Sequence, residues 1–174
     1  MTDQDVGDGR TIKLAERRVF SQSFKPLYDE GMRLVEQAAE YLDGEGRAEA
    51  KGLSRVAATL YAAESMRLTT RLMQVASWLL LQRAANSGEM TRDQVASEKL
   101  KVRLDTASAH DDAPGWGELP EAFRAIVEHS LRLQGLVRRM DEQIYGDAAK
   151  QAARAAGNPV SDQITLLKTA FGGG

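Results

Sequence analysis

Apolar side chains recur at helical spacing along three long stretches of the chain, and glycine or serine residues separate these stretches. The first covers about residues 24–43, with Ser23 as its N-cap. The second covers about residues 47–86, which is roughly 40 residues or about 60 Å of helix. The third covers about residues 120–145 and starts at Pro120, a residue well suited to a first helical position. This spacing predicts three amphipathic helices.

The sequence Thr91-Arg-Asp-Gln94 has the form of a capping box and predicts a short fourth helix that ends near Leu104. Residues 105–118 are rich in Asp, Ser, Gly and Pro, which predicts a loop. Strand-like alternation and internal repeats do not occur in the sequence. The fold expected is therefore all-α: an antiparallel three-helix bundle with a long central helix, one extra short helix and disordered termini.

The two ends of the chain lack a sustained apolar pattern. Residues 1–20 are polar and predict a disordered N-terminal arm, residues 21–146 predict the helical bundle domain, and residues 147–174 predict a disordered tail rich in Ala and Gly. The tail carries one small apolar cluster, which consists of Ile164, Leu166, Leu167 and Phe171. These four residues are candidates for partner binding. The alternative is that the tail is a passive, solubilising end.

Residues 77–83 of the second helix read SWLLLQR, and four consecutive large apolar side chains point most of the way round a helix. Trp78 and Leu79 continue the main apolar stripe, which we expect to face the other two long helices. The other large apolar residues of this region are not part of that stripe and lie on other sides of the helix. We expect Met73, Leu80 and Leu81 to make contacts beyond the three-helix core, either in a dimer or beneath the short helix.

Composition narrows the classes of protein that the chain can belong to. It contains no cysteine, which excludes disulfides, Cys-ligated zinc, iron–sulfur clusters and thiol catalysis. Its net charge of −2 does not favour general binding to nucleic acid or to anionic membranes. The N-terminus is polar and acidic, unlike a signal peptide, and the longest apolar run is about half of what a membrane span needs. We therefore expect a cytoplasmic protein.

The sequence shows no motif that points to catalysis or to a cofactor. P-loop, GxGxxG, nucleophile-elbow and H-E-x-x-H patterns are all missing from it. Neither His110 nor His129 follows a Glu at the spacing that di-iron bundles use. The triplet of His110, Asp111 and Asp112 lies in a polar loop, where such side chains are usually solvated. The expectation is a protein that is not an enzyme and binds no cofactor or metal.

His129 raises the alternative of a histidine-phosphotransfer bundle. In that family the histidine is followed by a Lys and then a Gly within the next turn, whereas this chain has Arg132 and Gly135. His129 also lies at the edge of the apolar stripe of its helix. We interpret it as a boundary histidine that packs through its ring.

Glu64, Arg67 and Arg71 lie three and four residues apart within the long apolar helix, where charged residues are unusual. One interpretation is a buried ion network that fixes the register of the bundle. The other is a polar recognition patch or a catalytic carboxylate. We favour the network, because arginine fixes a buried carboxylate better than it activates one.

Three segments of the chain resemble a known family: residues 61–84 (YAAESMRLTTRLMQVASWLLLQRA), 102–108 (VRLDTAS) and 119–141 (LPEAFRAIVEHSLRLQGLVRRMD). The family is the alphaproteobacterial regulator of CtrA degradation (RcdA), and the resemblance covers about residues 20–145. It implies a cytoplasmic three-helix-bundle homodimer that is found at a cell pole and has a disordered C-terminal tail. The family offers no catalytic motif that could be transferred to this chain.

The resemblance also implies a function. A member of this family is a non-catalytic adaptor for the ClpXP protease in cell-cycle-controlled proteolysis. A CpdR-type response regulator primes the unfoldase ClpX, and the adaptor then presents substrates such as CtrA and other transcription regulators. It does so directly or through a second, cyclic-di-GMP-binding adaptor.

Overall fold

The structure is a computed structural model, which describes the backbone of residues 6–155 and the side chains of residues 22–147. Within these residues there are helices and loops but no strands, so the predicted all-α fold class is confirmed. Five α-helices lie in the described part of the chain: α1 (Val6–Asp43), α2 (Glu45–Ala50), α3 (Arg55–Ser87), α4 (Arg92–Lys99) and α5 (Glu121–Ala155). A short 3₁₀ turn, Trp116–Glu118, precedes α5.

Helix α1 begins at Val6, well before the predicted start near Phe24. Ser23 is therefore inside the helix and does not act as its N-cap. Pro26 also lies inside α1; it removes one backbone donor but does not end the helix. Residues 6–20 contain several good helix formers but no continuous apolar stripe, so a search for periodicity does not find them.

The predicted 40-residue second helix is in fact two helices. Helix α2 ends at Ala50, and α3, with 33 residues, begins at Arg55. Between them Ser54 has an extended backbone (φ −58°, ψ 161°), and its hydroxyl accepts a hydrogen bond from the backbone N–H of Ala57 at 3.3 Å. This N-cap starts a new helix at a place where the apolar pattern alone shows no interruption.

The short fourth helix has the predicted capping box. The backbone N–H of Thr91 donates to Gln94 Oε1 at 2.9 Å, and the backbone N–H of Gln94 donates to Thr91 Oγ1 at 3.3 Å. Helix α4 nevertheless ends at Lys99 and does not reach Leu104. Helix α5 begins directly after Pro120 and continues to Ala155, ten residues beyond the predicted end.

Helices α3 and α5 run in the same direction. The rings of Tyr61 and Phe123 are 4.6 Å apart, and further along both helices Arg71 Nη1 lies 2.7 Å from Ser130 Oγ. Two parallel helices need a long connection between them, and residues 88–120 provide it. These contacts lie within the first of two compact units, which ends at Val137; the rest of α5 belongs to the second unit.

Helix α1 runs opposite to the other two long helices. Tyr41, near its end, stacks on Phe123 with ring centroids 6.1 Å apart, and Glu30 lies 2.7 Å from His129. The core between α1, α3 and α5 buries the polar side chains of Glu64, Arg71, Ser130 and Gln134 along its middle and that of Gln82 toward one end. Its fully buried apolar members are Leu34, Ala57, Leu68, Val75, Trp78, Leu79, Phe123, Val127, Leu133 and Val137.

Residues 100–115, the return segment, lead the chain back along α3 toward its first turn. The backbone N–H of Arg103 donates to Gln74 Oε1 at 2.8 Å near the middle of α3. At the other end Gly115 lies so close to α3 that an added Cβ would be 2.9 Å from Ala57 Cα. Gly115 also has φ +87°, which favours glycine on its own account. The return segment therefore covers one side of α3 along half of the helix.

Candidate functional site

One face of α3 is exposed from Met66 to Leu80, and between Leu68 and Gln82 it carries no charge. Met66, Met73 and Leu80 have exposed fractions of 73%, 64% and 51%, and we call them the outer face of α3. They are seven residues apart, so they lie on one line along the helix, as one position of a coiled-coil heptad does. The one charged residue in the stretch, Arg71, is fully buried. Large apolar side chains in such an arrangement suit contact with another helix.

The hydroxyl groups beside the outer face are already hydrogen-bonded within α3. Thr69, Thr70 and Ser77 each donate to the carbonyl oxygen four residues earlier, at 2.8, 2.9 and 2.8 Å. A second helix that covers this face would therefore leave none of these hydroxyls without a partner. The polar groups of the face do not oppose its burial.

Helix α4 covers a different side of α3. Val95 of α4 is fully buried, and the ammonium of Lys99 in the same helix lies 4.4 Å from the centroid of the Trp78 ring of α3. Trp78 and Leu79 are buried in the core, in agreement with the apolar stripe, and Leu81 is half-buried. The outer face of α3 keeps its exposure, so within the described residues neither α4 nor the other helices cover it.

Glu64 is fully buried in α3 and accepts three hydrogen bonds. Ser108 Oγ and Arg67 Nη1 donate to its carboxylate, and the backbone N–H of Ala109 donates at 2.9 Å. Burial alone raises the pKa of this carboxyl, but the bonds from Ser108 and Ala109, together with Arg67, outweigh burial and lower it below its usual value. Glu64 is therefore a fixed anion that holds the return segment against α3.

Arg71 is also fully buried. It lies two helical turns after Glu64 on α3 and also binds the return segment. Its Nε and Nη2 donate to the carbonyl oxygens of Thr106 and Ala107 at 3.2 and 3.1 Å, and Nη1 donates to Ser130 of α5. Burial lowers the pKa of the guanidinium, and the charge of Glu64 opposes that shift. We call Glu64, Arg71 and their partners in residues 106–109 the polar clamp.

The charged trio on α3 is thus split between two environments. Glu64 and Arg71 are buried, whereas Arg67 pairs with Glu64 from a half-exposed position. A carboxylate without exposed surface cannot meet a substrate, so the geometry favours a structural role over catalysis. The partners in the return segment are absent from the sequence prediction. Two buried charges need hydrogen-bond partners, and a segment without secondary structure can supply hydroxyl and backbone groups for them. This requirement could have indicated the loop as the source of the partners.

His129 lies on α5 with Nε2 at 2.7 Å from Glu30 Oε1 on α1, and both side chains are half-buried. This contact engages Nε2, one of the two ring nitrogens, in a bond between the two helices. The geometry therefore favours the interpretation of His129 as a boundary residue that ties α5 to α1.

Other predicted features give no site in the described residues. Among residues 22–147, no three His, Asp or Glu side chains converge as a metal site would require, and His110, Asp111 and Asp112 are exposed. No helix in this part of the chain is long and apolar enough to cross a bilayer. The apolar cluster of the tail, Ile164, Leu166, Leu167 and Phe171, lies outside the residues that the structure describes.

The fold and its surfaces define a helical bundle that fixes a loop with buried charges and presents an uncharged helix face. The chain belongs to the family described as "Protein of unknown function (DUF1465)", which it matches over residues 15–171. Among solved structures it is similar to the crystal structure of RcdA from Caulobacter crescentus CB15, with 45% sequence identity and a TM-score of 0.58. That match covers 70% of this chain and 90% of the RcdA chain. No curated protein sequence matches the chain. The RcdA family resemblance drawn from the sequence is thereby confirmed.

Proposed function

We propose that this chain is a non-catalytic adaptor in regulated proteolysis. The observation that carries the proposal is its 45% identity to RcdA, together with the family resemblance of residues 61–84 and 119–141. In this role it helps to deliver cell-cycle regulators, such as CtrA and other transcription regulators, to the ClpXP protease. Its proposed partners are ClpX, a CpdR-type response regulator, and substrates or a second cyclic-di-GMP-binding adaptor. Its proposed location is the cytoplasm at a cell pole.

The proposed adaptor acts as a homodimer that forms through the outer face of α3. The support is the exposed line of Met66, Met73 and Leu80, whose neighbouring hydroxyls are already satisfied. In a symmetric pair of antiparallel α3 helices, the Met73 side chains of the two copies meet at the twofold axis, and Met66 meets Leu80. Leu81, half-buried beside this line, lies at the border of the same interface.

The tail cluster of Ile164, Leu166, Leu167 and Phe171 is proposed to contact the protease or another partner. Weak apolar anchors on a long segment suit reversible tethering, because ordering costs keep the affinity modest while the linkage raises the effective concentration. The double variant Leu167→Asp, Phe171→Asp tests this role and leaves α5 intact. Normal substrate delivery by that variant would remove the tail from the proposed binding surfaces.

Reconstituted degradation tests the adaptor role directly. ClpX, ClpP and a primed CpdR-type regulator are mixed with a fluorescent candidate substrate, with and without this chain, and loss of the substrate is followed over time. We expect degradation of adaptor-dependent substrates to require the chain. A substrate that ClpXP degrades by itself provides the control and should be unaffected. The proposal would be contradicted if the chain accelerated the degradation of none of the cell-cycle regulators tested.

A further inference from the structure

The first turns of α3 and the end of the return segment border an open groove of about 480 Å³. It lies toward the start of α3 next to the outer face, since Thr59 in its lining is seven residues before Met66, and Val56 in the same lining is 55% exposed. Its apolar lining residues are Val56, Leu60, Ala63 and Pro114, and its two flanking cations are Arg55 and Arg67.

The wall of this groove is held firmly against α3. Gly115 follows Pro114 directly, and its backbone lies against the first turn of the helix, with no room for a side chain next to Ala57. The backbone N–H of Trp116 closes a turn onto the carbonyl oxygen of Ala113 at 3.0 Å, so the residues on both sides of Pro114 are fixed. A groove between two fixed walls needs little ordering when it binds a ligand.

The groove is locally basic although the chain as a whole is acidic. The two charged residues that line it, Arg55 and Arg67, are both cations, in a chain of net charge −2. Within the described part of the chain, Arg55 has no ion-pair partner, and the acidic pair Asp111 and Asp112 bonds to neither flanking arginine. Arg67 shares Glu64 with two other donors and is half-exposed toward the groove. A negatively charged ligand would complement both ends.

The length of the groove identifies the form of that ligand. Arg55 and Arg67 are twelve residues apart on α3, about 18 Å along the helix axis. An extended peptide of about six residues spans this distance at about 3.3 Å per residue. We propose that the groove binds a short peptide segment of a partner protein, apolar in its middle and with a carboxylate near each end. The carboxylates pair with Arg55 and Arg67, and the apolar residues lie on Val56 and Leu60.

A labelled peptide tests this inference on the full chain. The probe is a fluorescein-tagged hexapeptide, Asp-Leu-Val-Ala-Leu-Asp, and the comparison peptide has Lys in place of both Asp residues. Fluorescence anisotropy is expected to show tighter binding of the acidic peptide, with an affinity that falls as salt is added. Arg55→Glu should weaken that binding about fivefold or more and favour the basic peptide instead. Val56→Asp should weaken the binding of the acidic peptide, because it removes apolar contact and adds a like charge.

Arg92→Glu is the matched control, because it makes the same change in net charge at an exposed position on α4. Thermal unfolding of each variant checks that the fold is intact. Equal binding of the two peptides, or an equal effect of Arg55→Glu and Arg92→Glu, would overturn the inference. This inference goes beyond the proposed adaptor role. The peptide assay contains no protease or substrate, so a negative result in it is distinguishable from a negative result in the degradation assay.

Discussion

Arg71 of α3 donates a 2.7 Å hydrogen bond to Ser130 of α5, and so ties together two helices that run in the same direction. The same guanidinium binds two carbonyl oxygens of the return segment and balances part of the buried charge of Glu64. Its removal leaves Glu64 buried with one cation fewer, and it leaves the Ala107 carbonyl and the Ser130 hydroxyl without their donor, while the Thr106 carbonyl keeps a bond from Gln134 at 3.3 Å. Removing one of two opposite buried charges typically costs about 3–5 kcal/mol.

We therefore predict that Arg71→Leu lowers the free energy of unfolding by about 3–5 kcal/mol, measured by urea denaturation. Arg92→Leu, at an exposed position of α4, is the control and should leave stability nearly unchanged. A loss of less than about 1 kcal/mol in the Arg71 variant would show that the polar clamp contributes little to stability.

Glu64 makes part of the stability dependent on pH. The pKa of this carboxyl lies below its ordinary value of 4.5 in the folded chain, so the unfolded chain takes up the proton first as the pH falls. Its contribution is present in full above about pH 5 and is lost as the pH falls through the lowered pKa. Glu64→Gln should therefore be less stable than the parent at pH 7 and lose less stability on acidification.

Urea midpoints measured at intervals between about pH 7 and pH 3 check this prediction. Glu121→Gln, an exposed change in the first turn of α5, controls for the loss of one carboxylate. If the curves of the parent and Glu64→Gln stay parallel over that range, the carboxyl does not carry the acid sensitivity.

The absence of cysteine from the chain allows a clean cross-linking test of the outer face. If two α3 helices meet at Met73, then Met73→Cys should form a disulfide between two copies under mild oxidation, visible as a dimer on a non-reducing gel. Leu100→Cys is the control, because Leu100 is 87% exposed at the end of α4 and lies outside the proposed interface.

Sedimentation velocity of Met73→Asp gives a second measurement of the same interface. A charge buried at the twofold axis should convert the dimer to a monomer that keeps the helical circular-dichroism spectrum of the parent, since Met73 is exposed in the single chain. Equal cross-linking of Met73→Cys and Leu100→Cys, with a dimeric Met73→Asp protein, would rule out this face.

Two helical glycines should respond oppositely to substitution. A Cβ on Gly31 of α1 would overlap Leu79 Cδ1, whereas a Cβ on Gly146 of α5 meets no atom within 4 Å. Gly31→Ala should therefore destabilise the chain by about 1–3 kcal/mol through overpacking, despite its gain in helix propensity. Gly146→Ala should stabilise α5 by up to about 1 kcal/mol. Chemical denaturation of both variants tests the pair, and a destabilised Gly146→Ala or a stabilised Gly31→Ala would contradict it.

Local features of the fold could be predicted from the sequence where the signal is itself local. The start of α5 after Pro120 and the capping box of Thr91 and Gln94 depend on neighbouring residues, and both are found in the structure. The break at Ser54 is equally local, but serine also occurs inside helices, and the apolar pattern continues across it. The early start of α1 was missed because helix propensity without an apolar stripe gives no periodic signal.

The candidate site could be predicted only in part, because its contacts join distant residues. The trio of Glu64, Arg67 and Arg71 stands out in the sequence, but Glu64 and Ser108 are 44 residues apart. No local sequence pattern predicts that a polar loop will contact a buried carboxylate. The exposure of Met73 and Leu80 follows from which sides of α3 the return segment and α4 cover, and this depends on the path of the whole connection.

The parallel arrangement of α3 and α5 also determines the order in which the chain can complete its core. Helices α1 and α3 are joined through the short α2, whereas the bond from Arg71 to Ser130 spans 59 residues. Contacts of such separation form only after a long loop has closed, and they slow folding. A nascent chain that has emerged only as far as α4 lacks most of the groups that satisfy Glu64 and Arg71. The polar clamp thus makes early collapse unfavourable and links completion of the core to the arrival of α5.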